Sequence, residues 1–222
     1  SQIIQVAEEL SLCINSYKVI VIKSTAPVGT VDLVTGLLTR EKVEGQDFDI
    51  VANPEFLREG KGLFDFFYPN RIVIGADSQR ARQIIHDLYE PIVHGEVTWH
   101  QDGQIHHSSN PVPVVDTDPA SAQMIKYASN AFLAARISFI NEIAGLSAKI
   151  GADVKEVELG MGYDPRIGHA YLEAGLGFGG PCLEKDLRAL LKLAEGNGYD
   201  PQLLKAVLER NEKQIGEVIA KV

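Results

Sequence analysis

The chain has 222 residues, 45% hydrophobic and 23% charged, enough for one large domain or two small ones with a sizeable core. Lys plus Arg number 21 against 30 Asp plus Glu, and the formal net charge of −9 argues against general binding to nucleic acid or to an anionic membrane surface. Two distant cysteines, Cys13 and Cys182, make neither a zinc pattern nor a disulfide scaffold, so a reducing, cytoplasmic setting is expected.

No apolar run approaches about 20 residues, so no membrane span is expected. Residues 1–6 lack the basic-then-apolar pattern of a signal peptide.

In chain order, the apolar spacing of residues 3–16 predicts a helix. Val19–Ile22 reads as a buried strand, followed by the small-residue loop Lys23-Ser-Thr-Ala-Pro-Val-Gly29. Thr30 is expected to cap a helix reaching Leu38. Phe48–Val51 and Arg71–Ile74 read as further strands, and residues 78–90 as a helix. Strands alternating with helices at this spacing predict an α/β fold with a parallel sheet. Residues 94–113 differ. The segment holds two short runs about Asp102-Gly103, the form of a hairpin inserted at a domain boundary.

After residue 113 the chain is expected to turn helical. Asp118 as N-cap and Pro119 at the first helical position open a helix that ends at Ile150 before Gly151, about 48 Å at 1.5 Å per residue. Shorter helices are expected at 153–160, 183–195 and 201–221.

The most informative segment is Gly175-Leu-Gly-Phe-Gly-Gly-Pro-Cys-Leu-Glu-Lys-Asp186. It matches G-x-G-x-x-G, but that fingerprint needs a strand before it, and residues 169–174 read as helix-like. The better reading places Pro181 in the first turn of a helix. Cys182 then lies beside unpaired backbone N–H groups and the positive end of the helix dipole, both of which favour thiolate over thiol. Asp186, four residues on, shares its helix face. The alternative is a buried structural cysteine.

Lys126 and Asn130, at i and i+4 on the long helix among apolar neighbours, offer donors to a developing oxyanion. Alternatively Lys126 snorkels to solvent. Glu55 and Glu59 would share a face if a helical turn starts at Pro54, beyond the carboxyl end of a strand, where α/β proteins bind ligands. Otherwise they are solvated acids. Arg166 stands in a turn where it can pair a phosphate or an acid. Histidines 94, 100, 106 and 107 lack a supporting Cys or acidic set, so no metal is expected.

Taken in order, Lys23-Ser-Thr-Ala-Pro-Val-Gly29, Asn53-Pro-Glu-Phe-Leu-Arg-Glu-Gly60, Lys126-Tyr-Ala-Ser-Asn130, Asp164-Pro-Arg-Ile-Gly168 and Gly177-Phe-Gly-Gly-Pro-Cys-Leu-Glu-Lys-Asp186 resemble the UDP-glucose/GDP-mannose dehydrogenase family over nearly the whole chain. The resemblance implies a partial Rossmann-like sheet at 1–113, the C-terminal part of an NAD-binding domain. An all-helical central dimerisation domain would follow at 114–222.

It implies NAD-dependent oxidation of the C6 alcohol of a UDP-sugar, UDP-glucose above GDP-mannose, to a carboxylate through a thiohemiacetal and a thioester on Cys182. Lys126, Asn130, Asp186 and Glu55 would assist. Thr25, Glu59 and Lys185 would lie near NAD, and Phe56, Leu57, Arg58, Tyr171, Leu172, Glu173, Ala174, Gly175 and Gly179 near the sugar nucleotide. Arg166 would reach a neighbouring subunit's substrate in a homodimer built on the long helix.

Members of the family also carry a glycine-rich phosphate loop before, and a second α/β domain after, the matched region. The 222 residues alone are therefore expected to be nearly inactive. Pro181, Glu173 and Glu184 depart from the family's usual residues. Two readings compete: a β-hydroxyacid dehydrogenase relative, which needs no cysteine, and a purely helical dimerisation module.

Overall fold

Helices and strands are interspersed as far as residue 117 of the computed structural model, and among the described residues only helices and loops follow; residues 2–101, 104–106 and 111–220 are described. The chain divides into two units, Ser1–Lys126 and Tyr127–Val222.

In the first unit the order is α1 (Gln2–Cys13), β1 (Lys18–Ile22), α2 (Thr30–Leu38), β2 (Phe48–Ala52), α3 (Gly62–Phe67), β3 (Ile72–Gly75), α4 (Gln79–Val93), β4 (Trp99–Gln101), β5 (Gln104–His106) and β6 (Val114–Thr117). The start of α5 (Pro119–Ile150) follows. Four strands form a sheet in the order β1-β2-β3-β6. β1 pairs β2 in parallel from Lys18↔Phe48 to Ile22↔Ala52, and β3 pairs β6 in parallel. The two pairs meet antiparallel at Ala52↔Gly75. The Rossmann-like α/β expectation holds, with a sheet that is mixed rather than wholly parallel.

The alternation of the strands builds the core. Phe48, Ile50 and Ala52 of β2 join Val73 and residues of α1 and α2 in one cluster. Val51 joins Ile72, Ile74 and residues of α4 in another. A sheet covered on both faces explains why every residue of β2 and β3 is buried. Gly75 is glycine because β3 runs against the start of α5: a Cβ there would lie 2.4 Å from the Ala122 Cβ and 2.8 Å from the Asp118 carbonyl oxygen.

Three expectations are corrected here. Thr30 is the first residue of α2 rather than its cap. Gly29, at φ 90°, holds the cap position, and the Thr30 hydroxyl donates to the Pro27 carbonyl. Residues 114–117, expected to begin the helical half, form β6. Their short run contains Asp116 and Thr117 and shows a strand only once β3 is beside it. No helical turn starts at Pro54: residues 53–58 are irregular and α3 begins at Gly62.

The strands β4 and β5 pair antiparallel as the hairpin reading requires. The turn residues Asp102 and Gly103, and His107, lie outside the described residues. Val112, at the end of this segment, is buried and its N–H donates to the Val93 carbonyl, so the segment is anchored to α4.

The second unit contains most of α5, then α6 (Val154–Gly162), α7 (Leu183–Gly196) and α8 (Gln202–Ile219). The long helix has the expected ends: Asp118 accepts the Ser121 N–H at 2.8 Å and Gly151 takes φ 77°. By length and composition alone α5 could cross a bilayer. Several of its buried polar side chains are held by protein: the Ser138 hydroxyl donates to the Val207 carbonyl at 2.9 Å, and Asn130 Nδ2 donates to Asp186. Ala131, Ala134, Phe178, Leu187, Val207 and Leu208 form the core of this unit.

Candidate functional site

In the first unit the carboxyl ends of β1 and β2 are tied together by a cluster of long-range hydrogen bonds that no sequence pattern marks. Asn53 is 2% exposed. Its N–H donates to the Ile22 carbonyl at 3.0 Å and its Nδ2 to the Val73 carbonyl at 2.8 Å. Its Oδ1 accepts from Lys23 Nζ at 3.1 Å and from the Tyr89 hydroxyl at 2.6 Å. Thr25, half-buried, lies in the loop beyond this knot.

The Asn53 knot fixes the start of the next segment. Glu55 Oε2 accepts the Leu57 N–H at 2.6 Å, and Lys126 Nζ lies 3.3 Å from Oε1. Lys126 therefore does not snorkel. Its side chain is 8% exposed, on the Glu55 carboxylate, with its nitrogen 5.4 Å from the centre of the Phe56 ring. The Arg71 guanidinium also lies over that ring, at 3.6 Å, and burial pulls its pKa below the usual arginine range.

Arg58 is engaged by Asp65: its backbone N–H, Nε and Nη2 all donate to that carboxylate, which they hold below the ordinary aspartate range. Leu57 and Glu59 are exposed. Glu55 and Glu59 thus do not form a pair on one helical face. Glu55 is bound to a cation and Glu59 stands in a turn.

In the second unit Cys182 occupies the N-cap position of α7 and is exposed, which removes the buried structural reading. Pro181 lies in the turn just ahead of the helix, not inside it. The Cys182 carbonyl accepts the first helical bond, from Asp186 N–H at 3.0 Å.

Asp186 faces inward and is 1% exposed. Asn130 Nδ2 donates to its Oδ2 at 2.6 Å. Its Oδ1 has no hydrogen-bond partner among the described residues, and Lys185 Nζ, on an exposed side chain, is 3.6 Å away. This orphaned oxygen is an acceptor fixed next to the thiol-bearing turn.

Tyr127 lies near the same carboxylate, and burial, with the Asp186 charge adding to it, pushes its pKa up to about 12; burial and Asp49 do the same to Tyr17. A raised phenol stabilises the fold fully below its unfolded value of 10, and that contribution is lost as pH rises through about 12. The phenolate absorbance of these two residues is expected only near that value, and Tyr127→Phe should remove one of the late steps. Full tyrosine ionisation around the ordinary value in the folded chain would contradict this.

The loop ahead of Cys182 is held by helix side chains that look solvent-facing in the sequence. Arg136 of α5 donates to the Ile167 and Gly168 carbonyls at 2.7 and 2.8 Å. Glu158 of α6 accepts the Ala174 N–H at 2.6 Å. Asn141 accepts the Gly175 N–H at 2.8 Å, and Gln214 of α8 donates to the Gly175 carbonyl at 2.5 Å.

Residues 169–174, read as helix-like, are irregular, with Tyr171 at φ 60°. The dinucleotide reading still fails, since no strand precedes Gly175 among the described residues of this unit. Tyr171 and Glu173 are exposed, Leu172 is buried, and Gly179 is exposed. Arg166 is 87% exposed and bonded to Asp164, whose carboxyl it holds below the usual range. A cavity of about 510 Å³ opens between α5 and α8, lined by Phe132, Arg136, Phe139, Arg166, Leu172 and Arg210 among others. Among the described residues no group of His, Cys, Asp or Glu could hold a metal ion.

A Rossmann-like unit and a helical unit with a cysteine at a helix start define an α/β protein with an added helical domain. Residues 1–93 match the family model of the UDP-glucose/GDP-mannose dehydrogenase NAD binding domain, and residues 120–213 that of its central domain. The chain belongs to the UDP-glucose/GDP-mannose dehydrogenase family.

It is 46% identical over 209 residues to the UDP-glucose 6-dehydrogenase TuaD of Bacillus subtilis, covering 94% of this chain and 41% of that protein. The UDP-glucose dehydrogenase structure from the archaeon Pyrobaculum islandicum superposes with a TM-score of 0.82 at 38% identity, over 95% of this chain and 45% of that one. A GDP-mannose dehydrogenase structure from Pseudomonas aeruginosa does so with 0.63 at 28% identity, over 100% and 49%. The chain spans less than half the length of these relatives.

Proposed function

We propose that this chain is part of an NAD-dependent UDP-glucose 6-dehydrogenase that makes UDP-glucuronate through a thioester on Cys182. The observation that carries the reading is the exposed Cys182 at the start of α7, one turn before a buried carboxylate that Asn130 holds. Greater identity to UDP-glucose enzymes than to the GDP-mannose enzyme favours the uridine nucleotide.

The residues present fit one part of an NAD site. The loops leaving the parallel strands β1 and β2 carry the Thr25 hydroxyl and the Glu59 carboxylate, beyond the Asn53 knot. Thr25, Glu59 and Lys185 would hold NAD, which when bound supplies the hydride acceptor for both oxidations.

An aldehyde carbon needs an added nucleophile before it can be oxidised again. The Cys182 sulfur forms a C–S bond to it while the carbonyl electron pair moves to oxygen. Lys126 and Asn130 are assigned to donate to that oxygen. At the thioester, water held by Asp186 adds to the carbon, its proton passes to Glu55, the C–S bond breaks and the electron pair returns to sulfur. Phe56, Leu57, Arg58, Tyr171 through Gly175 and Gly179 are assigned to the sugar nucleotide.

A homodimer is part of the proposal. Phe132, Phe139 and Leu146 recur every seven residues on α5 and are all exposed, a stripe suited to a second helix, and Arg166 would then serve the neighbouring subunit. Two free, exposed thiols suit a cytoplasmic setting.

The test is NAD reduction by the complete gene product with UDP-glucose, GDP-mannose and UDP-N-acetylmannosamine. Two NADH per UDP-glucuronate, with UDP-glucose preferred by kcat/KM, are expected. Preference for either other sugar nucleotide, or one NADH per product, would overturn the assignment.

A further inference from the structure

A buried peptide in a loop has no ladder to pair its N–H and C=O, and each must find a partner elsewhere. Phe178, four residues before Cys182, is such a case: it is 6% exposed and packs with Leu187, Val207 and Leu208. Asn211 of α8 serves both groups. The Phe178 N–H donates to Asn211 Oδ1 at 2.8 Å, and Asn211 Nδ2 donates to the Phe178 carbonyl at 3.0 Å.

One carboxamide thus does what a neighbouring strand would do. The residue before it makes room. Gly177 has φ 96°, and a Cβ there would lie 2.4 Å from Asn211 Oδ1, so both conformation and space exclude a side chain. Only Gly179, Gly180 and Pro181 separate the pinned Phe178 from Cys182, whose other side is fixed by α7.

We propose that Asn211 is a positioning residue for Cys182, fixing the loop so that the thiol is presented to the substrate carbon from the start of α7. The inference rests on the reading of Cys182 as the nucleophile. Asn211 acts through the Phe178 peptide rather than on the reacting atoms.

Asn211→Leu removes both bonds while keeping the same branched skeleton, and Asn211→Asp keeps only the acceptor for the Phe178 N–H. In the complete gene product Asn211→Leu should lower kcat for oxidation of the sugar-nucleotide aldehyde by about tenfold or more, while kcat for the alcohol step and both KM values stay within about twofold. Asn211→Asp should fall between, and it carries the test if the leucine variant does not fold.

Without NAD, amide exchange of residues 175–183 should quicken in both variants while that of α5 is unchanged. Equal losses in the two oxidation steps, or an unchanged aldehyde step, would overturn the inference. Cys182→Ala run in parallel separates the two ideas: if that variant still forms acid, the reading of Cys182 fails, whatever Asn211 does.

Discussion

Replacing Cys182 by alanine in the complete gene product is expected to lower acid formation by about 10⁴-fold, roughly 5 kcal/mol of transition-state stabilisation, while the first oxidation of the alcohol persists. The asymmetry is the point. On the proposed route the alcohol carbon is already tetrahedral, and loss of its hydride leaves a stable carbonyl. The aldehyde loses its hydride only after the sulfur has added to it, so the thiol serves one half-reaction. Serine at the same position keeps the shape but lacks a nucleophile of comparable strength, and should resemble alanine. Separate assays of alcohol and aldehyde oxidation check this, and comparable rates of acid formation in wild type and Cys182→Ala would remove the thioester route.

Asn130→Leu is expected to cost about 3 kcal/mol of stability, because it leaves the Asp186 carboxylate, 1% exposed, without its hydrogen bond. The other oxygen is already unpartnered, so the group has no alternative donor among the described residues at hydrogen-bond distance. The double variant Asn130→Leu with Asp186→Leu should be less destabilised than the sum, since it removes the charge with its partner. Urea unfolding followed by helix content measures both. A loss under about 0.5 kcal/mol for Asn130→Leu would mean that the carboxylate is not held as described.

The ends of α5 and the start of α7 were legible because their signals are self-contained. The Asp118-Pro119 start and Gly151 stop of α5 need no tertiary partner, and both ends fall where capping places them. The exposed thiol at a helix start was legible for the same reason: glycines, a proline and a following helical pattern lie within twelve residues. What was lost depends on contacts distant in sequence. β6 contains two polar residues and becomes a strand only by pairing with β3.

The stretch after Pro54 stays irregular because Glu55 turns back to the Leu57 N–H and Arg58 to Asp65. Arg136, Asn141, Glu158, Asn211 and Gln214 have the appearance of solvated helix faces, yet each bonds the loop before Cys182. A side chain that satisfies a loop's backbone leaves no periodic mark, so sequence patterns cannot distinguish it from a solubilising residue. Lys126 belongs with these: its aliphatic surroundings fitted snorkelling equally well, and only the Glu55 carboxylate decides its burial.

The most direct test of the central claim is to quench the complete gene product during turnover of UDP-glucose and to map covalent adducts by peptide mass spectrometry. A sugar-nucleotide acyl group on the peptide carrying Cys182, absent from Cys13 and decaying as acid forms, is the predicted result. Full turnover to acid with Cys182 unmodified throughout, and still alkylatable at its resting rate, would contradict it.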